Sequence, residues 1–240
     1  MKAVCIIPAR GGSKGIPKKN IKKINGKPLL AYVIEATKKS KIFEHVIVST
    51  EDDEIAKIAK KYGADVPFKR PRSLASDYAP MDKVLLHAVR TLYKLNYDFD
   101  VFVWRDATTP FIKSQDIKKT IQLLKKKKVA IVAGVYRQHL NPYFNIVETK
   151  HNGFLKLCKP LKIKARCRQE APSVFQLNGL FTYDAKKFLG IRKTDPSFTC
   201  LDLSKTLPYE IPTETGLMID TEFEFEIAKL LIEQKKIKLG

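Results

Sequence analysis

The chain of 240 residues has few of the features that mark disulfide-rich, fibrous or membrane proteins. Its four cysteines form no CxxC pair and show no zinc-ligand spacing, so we expect buried thiols. Glycine (11) and proline (13) are too scarce for a collagen-like or low-complexity chain. No apolar run approaches the roughly 18 residues of a transmembrane helix, and the apolar stretch at 2–8 is too short for a signal peptide. We therefore predict a globular, cytoplasmic protein without a membrane partner.

The chain also has a shortage of acidic residues. It carries 45 Lys and Arg against 25 Asp and Glu, a formal net charge of +20. Such a charge suits either a polyanionic partner or lysines that coat exposed helix faces. The lysines are spread along the whole chain, and no helix-turn-helix, RRM or KH motif accompanies them. We therefore predict no nucleic-acid partner.

The first half of the chain alternates between strand-like and helix-like apolar spacing. Residues 2–8 form a near-continuous apolar run, typical of a strand covered on both faces. Further strands are expected at 45–50, around Val66 and Phe68, at 101–104 and at 129–135. Helices are expected to open at Pro28, after the acidic residues 51–54, and to span 81–95 and 114–127. This order predicts an α/β fold with a mostly parallel sheet and helices on both faces.

The alternation ends near Val135. Residues 141–164 have the pattern of short strands joined by a type I′ turn at Asn152-Gly153. Later strands are expected at 175–183 and 206–211, and a closing amphipathic helix at 222–236. We predict one domain over 1–240 with an insertion at 137–170 that serves as a lid or a dimerisation hairpin.

The loop PARGGSKGIPKKN, residues 8–20, directly follows the first strand. Ligands of open α/β sheets bind at the carboxyl ends of strands. Gly11 and Gly12 allow backbone N–H groups to approach phosphate oxygens, and Arg10, Lys14 and Lys19 supply positive charge. The pattern favours a triphosphate site, although an ordinary solvated loop has similar residues.

Two better-known nucleotide motifs are missing. A Walker A motif needs Gly-Lys-Ser/Thr five residues after its first glycine, and this loop has no such triplet. The dinucleotide motif GxGxxG is also absent. Neither a P-loop kinase nor an NAD-dependent enzyme is therefore supported.

Eight segments in order resemble the CMP-sugar cytidylyltransferases, above all the N-acylneuraminate (CMP-sialic acid) and CMP-legionaminic acid synthetases. They are IIPARGGSKGIPKKNI, GKPLLAYVIEA, HVIVSTEDDEIA, KRPRSLASDYA, LLHAV, DATTPF, RQEAPSVFQLNG and MIDTEFEFEIA. The resemblance implies a Rossmann-like fold of the nucleotide-diphospho-sugar transferase type and a homodimer. It also implies a Mg²⁺-dependent reaction of CTP with a 2-keto sugar acid (sialic, legionaminic or pseudaminic-like) that yields CMP-sugar and pyrophosphate.

The resemblance assigns a nucleotide set and a catalytic set. The catalytic residues are Lys19, Arg10 and Asp220, with Lys19 near the α-phosphate. The nucleotide-binding residues are Ala9, Arg10, Gly11, Gly12, Ser13, Lys14, Lys19, Asn20, Arg70, Asp77 and Thr108. Two of these residues have a simpler alternative role. Arg70 could be a surface arginine before a proline turn, and Asp77 could serve only to cap the following helix.

The sugar acid is assigned to a second set of residues, namely Asp106, Thr109, Arg168, Gln176 and Asn178. The Arg168 guanidinium suits a carboxylate, and Gln176 and Asn178 can bind hydroxyls. Asp106 serves as a polar anchor or as a hydrogen-bonding partner to a metal's ligand. A simpler alternative for Asp106 is an aspartate that initiates a turn.

The metal site departs from the family pattern. Relatives carry Asp-x-Asp before the last helix, whereas this chain has Met218-Ile219-Asp220. A thioether is a poor ligand for Mg²⁺, so Asp220 is the one expected metal ligand, unless it merely caps the final helix. Two other functions stay open: another sugar or alditol nucleotidyltransferase, and a nucleotide-binding homologue with catalysis weakened by Met218.

Overall fold

The structure, a computed structural model, describes residues 1–13, 15–194, 200 and 202–237. The strands are β1 (Ala3–Pro8), β2 (Lys23–Ile24), β3 (Lys27–Pro28), β4 (His45–Ser49), β5 (Val101–Arg105), β6 (Ile131–Gln138), β7 (Val147–Thr149), β8 (Leu155–Leu157), β9 (Val174–Asp184) and β10 (Thr206–Glu210). The helices are α1 (Leu29–Lys39), α2 (Asp53–Lys61), α3 (Met81–Lys94), α4 (Ser114–Lys127), α5 (Ala185–Thr194), α6 (Thr213–Gly216) and α7 (Glu222–Glu233).

Six strands form the central sheet in the order β10-β6-β9-β5-β1-β4. β1 pairs in parallel with β4 and β5, and β10 pairs in parallel with β6. β9 lies antiparallel between β5 and β6. The predicted α/β sheet is confirmed, with β9 as its one antiparallel member among the described strands.

Helices cover both faces of this sheet, as predicted. Alternate residues of β1 point to opposite sides, with Cys5 and Ile7 packed against α1, α2 and α4. Val4 and Ile6 pack with α3 and α5 on the other side. Every one of these β1 side chains is at most 1% exposed, which explains why the strand has no polar alternation. A third cluster joins α7 to the first loop and to β2, and it includes Phe225, Ile16 and Ile24.

The expected strand around Val66 and Phe68 is wrong. Only one parallel bridge forms there, between Ile47 and Asp65. The Asp65 N–H donates to the Val46 carbonyl at 2.7 Å, and the Asp65 carbonyl accepts from Val48 at 2.9 Å. The next N–H of such a ladder would come from residue 67, which is proline, so the pairing stops.

The insertion contains the expected hairpin, formed by β7 and β8. Its turn is not the predicted type I′, which needs positive φ at both central residues. Gly153 has φ of +81°, whereas Asn152 does not have a positive φ. The Gly153 N–H donates instead to the Lys150 carbonyl at 3.0 Å, which closes a longer loop.

Candidate active site

A cleft of about 320 Å³ lies at the carboxyl ends of β1 and β5. Most residues of the predicted nucleotide set line it, although they come from three separate parts of the chain. The predicted residues on its wall are Arg10, Gly12, Ser13, Lys19, Asn20, Arg70, Asp77, Asp106, Thr108 and Asp220. Lys14 lies outside the described residues, and Ala9 is 1% exposed, with its N–H bonded to the Ser49 carbonyl.

The loop after β1 is held against the start of α2. The Gly11 N–H donates to Glu51 Oε1 at 2.7 Å, and the Asn20 side chain donates to the Arg10 carbonyl at 2.8 Å. A Cβ on Gly11 would lie 2.6 Å from Asp52 Oδ2, whereas one on Gly12 would meet nothing within 4 Å. Gly11 is therefore needed for close packing on α2, and its N–H is occupied by Glu51, a residue that the sequence analysis did not assign to the site.

Two cations of the loop are paired with carboxylates from distant segments. Arg10 Nη2 lies 2.7 Å from Asp77 Oδ1, and Lys19 Nζ lies 2.8 Å from Asp220 Oδ1. The capping alternative for Asp77 is wrong, because α3 begins after Pro80 without a side-chain cap. An anionic ligand that entered the cleft would therefore compete with these two carboxylates for Arg10 and Lys19.

Asp220 does not cap the final helix. Thr221 is the N-cap of α7, and it forms a capping box with Glu224. The Asp220 carboxylate instead pairs with Lys19, whose side chain is only 12% exposed. The alternative that Asp220 is only a helix cap is wrong.

Arg70 is buried below the cleft wall at 4% exposure, so the surface-arginine alternative is wrong. Its Nε donates to Ser49 Oγ at 3.2 Å, and its Nη2 donates to the Ser49 carbonyl. Burial lowers the pKa of the Arg70 guanidinium, and the negative charge of Glu51 opposes that shift. Arg70 therefore holds the end of β4 while part of its surface faces the cleft.

Asp106 follows β5 and is a carboxylate with a shifted pKa. Burial raises the pKa of Asp106 to about 6. The Trp104 indole, which donates to Asp106 Oδ1 at 3.0 Å, opposes this shift, and the charge of Asp220 adds to it. The Asp106 side chain is half-buried: one side faces the cleft, and protein surrounds the rest. Gly179, with φ of +71°, leaves the space that Asp106 occupies.

The other four residues of the predicted sugar set do not line this cleft. Thr109 is fully buried, and its hydroxyl donates to the Asp106 carbonyl at 2.8 Å. Asn178 is also fully buried, and its amide has no partner within the described residues. Their burial contradicts direct contact with a substrate in this arrangement. Gln176, which accepts from Gln138, and Arg168 lie in two separate depressions beside the insertion.

A Mg²⁺ ion at this cleft would have to take most of its ligands from a substrate and water. Within the described ranges, no group of three or more His, Cys, Asp or Glu side chains is placed to hold a metal. Mg²⁺ commonly takes one or two carboxylates, with phosphate oxygens and water as the remaining ligands. Asp220 supplies one such carboxylate on the cleft wall, and Met218 beside it offers only a thioether.

None of the helices in the described residues has the length and apolar character that a membrane span requires.

Comparison with known proteins places the chain among enzymes that use CTP. The family model described as cytidylyltransferase matches residues 4–210. The post-translational flagellin modification protein B of Campylobacter coli is 34% identical over 98% of this chain and 97% of its own length. The CMP-N,N'-diacetyllegionaminic acid synthase of Campylobacter jejuni subsp. jejuni serotype O:2 is also 34% identical, over 98% of this chain and 96% of its own.

A solved structure has the same fold. The CMP:2-keto-3-deoxy-manno-octonic acid synthetase complexed with CTP superimposes with a TM-score of 0.74 over 98% of this chain and 100% of that one, at 18% identity. The sequence match covers far more than half of the chain and includes the loop, Arg70, Asp106 and the strands that carry them. The chain therefore belongs to the cytidylyltransferase family.

Proposed function

We propose that the protein transfers CMP from CTP to the anomeric hydroxyl of a nine-carbon-type 2-keto sugar acid, of the sialic, legionaminic or pseudaminic class. The sugar oxygen forms a bond to the α-phosphorus, the bond from that phosphorus to the bridging oxygen breaks, and pyrophosphate leaves with the released electron pair. The hydroxyl proton passes to solvent. The named activity of the C. jejuni relative, which this chain matches along nearly its whole length, supports this class of acceptor.

The Lys19–Asp220 pair is the observation that carries this proposal. Lys19 is a largely buried cation on the cleft wall, held at 2.8 Å by a carboxylate from a segment far along the chain. In phosphoryl-type transfer, most of the catalysis comes from positioning and from neutralising charge on the phosphate oxygens. Lys19 would act on the α-phosphate, and Arg10 would leave Asp77 for the β- and γ-phosphates.

Mg²⁺ is proposed as the cofactor, with Asp220 as its protein ligand. When bound, the ion would neutralise phosphate charge and help to orient the triphosphate. Asp220 would then exchange part of its contact with Lys19 for the metal, which leaves the Lys19 ammonium available to phosphate oxygens.

Release of pyrophosphate tests the proposed function. The purified protein is mixed with CTP and Mg²⁺ and, in separate reactions, with sialic, legionaminic, pseudaminic and 3-deoxy-manno-octulosonic acids. Product with a nine-carbon acid and CTP, but not with UTP or GTP, is the expected result. Folded protein that gives no product with any acid would contradict it. A further reaction with an alditol phosphate tests the alternative of an alditol cytidylyltransferase, which product in that reaction alone would favour.

A homodimer in the cytoplasm is also proposed. The insertion exposes apolar side chains around its hairpin, with Phe154 at 70%, Leu155 at 65% and Val147 at 46% exposure. A hairpin of two three-residue strands is marginally stable in water by itself, so we expect a second copy to cover it. Light scattering should give twice the 27.4 kDa mass, and the variant F154E/L155K should give the single mass. A monomeric parent protein at micromolar concentration would contradict the dimer.

A further inference from the structure

Arg105 is a charged residue at the end of β5, directly before Asp106, and it has 0% exposure. Residues of β5 alternate between faces, so Arg105 shares the side of Val101 and Val103, which both belong to the apolar core. Within the part of the chain that the structure describes, no carboxylate forms an ion pair with it. Burial lowers the pKa of Arg105 to about 10, so the guanidinium is still a cation at neutral pH.

The two terminal nitrogens of Arg105 bond to two different elements. Nη1 donates to Thr37 Oγ1 at 2.8 Å and to the Val33 carbonyl at 3.2 Å, both on α1. Nη2 donates to the carbonyls of Thr109 and Ile112 at 3.0 and 3.2 Å. The planar fork therefore ties the loop at 106–112 to α1, a geometry that a lysine ammonium cannot reproduce.

The same loop is connected to both carboxylates of the cleft. Asp106 lies within it, and its N–H donates to the Gly179 carbonyl at 2.8 Å. The Thr108 carbonyl accepts from the Ile219 N–H at 3.0 Å, and the next residue, Asp220, holds Lys19. A displacement of the loop would therefore move Asp106 directly and Asp220 through the Thr108–Ile219 bond.

A buried cation without an anionic partner costs more free energy than an apolar side chain of similar volume. At a core position that needed only packing, leucine or methionine would cost less free energy. Arg105 uses two hydrogen bonds to fix carbonyl groups of the loop and two to anchor itself on α1, so its place in the fold is explained by the geometry that it imposes.

We propose that Arg105 is a positioning residue for the transfer reaction. Its guanidinium holds the 106–112 loop where Asp106 and Asp220 face the same substrate, without touching the substrate itself. The proposal rests on the proposed function for its kinetic effect, but its structural part can be tested without turnover.

The test compares Arg105→Lys, Arg105→Met and Thr37→Val with Val103→Ala. The two Arg105 variants remove the planar guanidinium. Thr37→Val removes one of its hydrogen-bond acceptors on α1, away from the cleft. Val103→Ala is the matched control, because it weakens the core on the same face of β5 without removing any of the hydrogen bonds from Arg105 to the loop. All variants are assayed well below their melting temperatures.

Two readouts separate positioning from stability. The first is the split between kcat and the KM for CTP, since a reacting group misplaced by about 1 Å can cost 10²-fold in rate. The second is the fluorescence of Trp104, the only tryptophan of the chain, whose indole donates to Asp106. Its emission reports whether that carboxylate keeps its contact with the indole, and quenching by iodide reports the exposure of the indole, which is 2% in this structure. Both are measured with or without turnover.

We expect kcat to fall about 100-fold in Arg105→Met, about 10-fold in Arg105→Lys and several-fold in Thr37→Val, with the KM for CTP within threefold. Trp104 emission should change in all three, whereas Val103→Ala should keep both properties. If Arg105→Lys and Thr37→Val keep the parent kcat within twofold and the parent emission, the proposal is overturned. Loss of activity without an emission change, or equal losses in Val103→Ala, would also overturn it.

A parent protein that turns over no sugar acid would refute the proposed function alone. In that case the emission decides: a shift in Arg105→Lys and Thr37→Val but not in Val103→Ala supports the positioning role. Parent-like emission in both variants overturns it.

Discussion

The Lys19 ammonium and the Asp220 carboxylate meet at 2.8 Å although 201 positions separate them in the chain. One follows β1 and the other precedes α7. The contact joins the loop after β1 to the segment before α7 on the cleft wall, so it forms only when these distant parts of the chain come together.

Replacing Lys19 by methionine should lower kcat by about 100-fold or more, because the phosphate charge in the transition state would lose a close cation. Lys18→Met is the matched control, since Lys18 is exposed and pairs with Glu54 at 2.8 Å, outside the cleft wall. Steady-state release of pyrophosphate measures both. Equal activity of the two variants would count against the assigned role of Lys19.

Gly11→Ala should lower the stability of the protein by about 1–3 kcal/mol, a typical cost of overpacking. The new Cβ would lie 2.6 Å from Asp52 Oδ2 and would push the loop away from α2. Gly12→Ala should change stability little, because a Cβ there meets nothing within 4 Å. Urea denaturation of both variants checks this difference, and equal midpoints would show that the loop does not pack on α2 as described.

Asp106→Asn should stabilise the protein at pH 7 by about 1–2 kcal/mol, because it removes a carboxylate whose charged form is disfavoured by burial. The folded pKa of Asp106, about 6, lies above the unfolded value of about 3.8. The folded state therefore binds the proton more tightly, and the parent protein loses stability as pH rises from about 4 to 6. The asparagine variant should lack this part of the pH dependence.

Thermal denaturation at pH 4.5, 5.5 and 7 measures the effect of Asp106. The same substitution should reduce turnover at pH 7, where most of the parent carboxylate is ionised. A variant less stable than the parent at pH 7 would contradict the proposed origin of the shift. So would an unchanged pH profile.

Met218→Asp should raise turnover severalfold at low Mg²⁺, because it adds a hard oxygen ligand beside Asp220 on the cleft wall. The apparent Mg²⁺ affinity, measured from the dependence of rate on metal concentration, should increase. Met218→Leu keeps an apolar side chain of similar volume and serves as the control, with parent-like metal dependence. Identical metal dependence in all three proteins would indicate that residue 218 does not reach the ion.

Local sequence patterns were sufficient for most elements of the fold. The apolar run of β1 and the run 101–104 of β5 predicted strands covered on both faces, and the charged stretch with helical spacing at 114–127 predicted an amphipathic helix. Two predictions were wrong: the type I′ turn at Asn152-Gly153 and the strand near Val66. Each depends on one backbone detail, which is the φ angle of Asn152 in the first case and the missing N–H of Pro67 in the second.

The residues of the motifs and their order in the chain were sufficient to identify the family, the loop after β1 and the cations in that loop. The tertiary structure decided which anions those cations meet, that Thr109 and Asn178 are buried, and that Glu51 occupies the Gly11 N–H. Arg105 lies directly after the strand predicted at 101–104, so the sequence did not predict that its charge is buried. Its partners on α1 and in the loop could not be read there, because hydrogen bonds between distant segments depend on how the helices pack on the sheet, and no local pattern of residues encodes that distance.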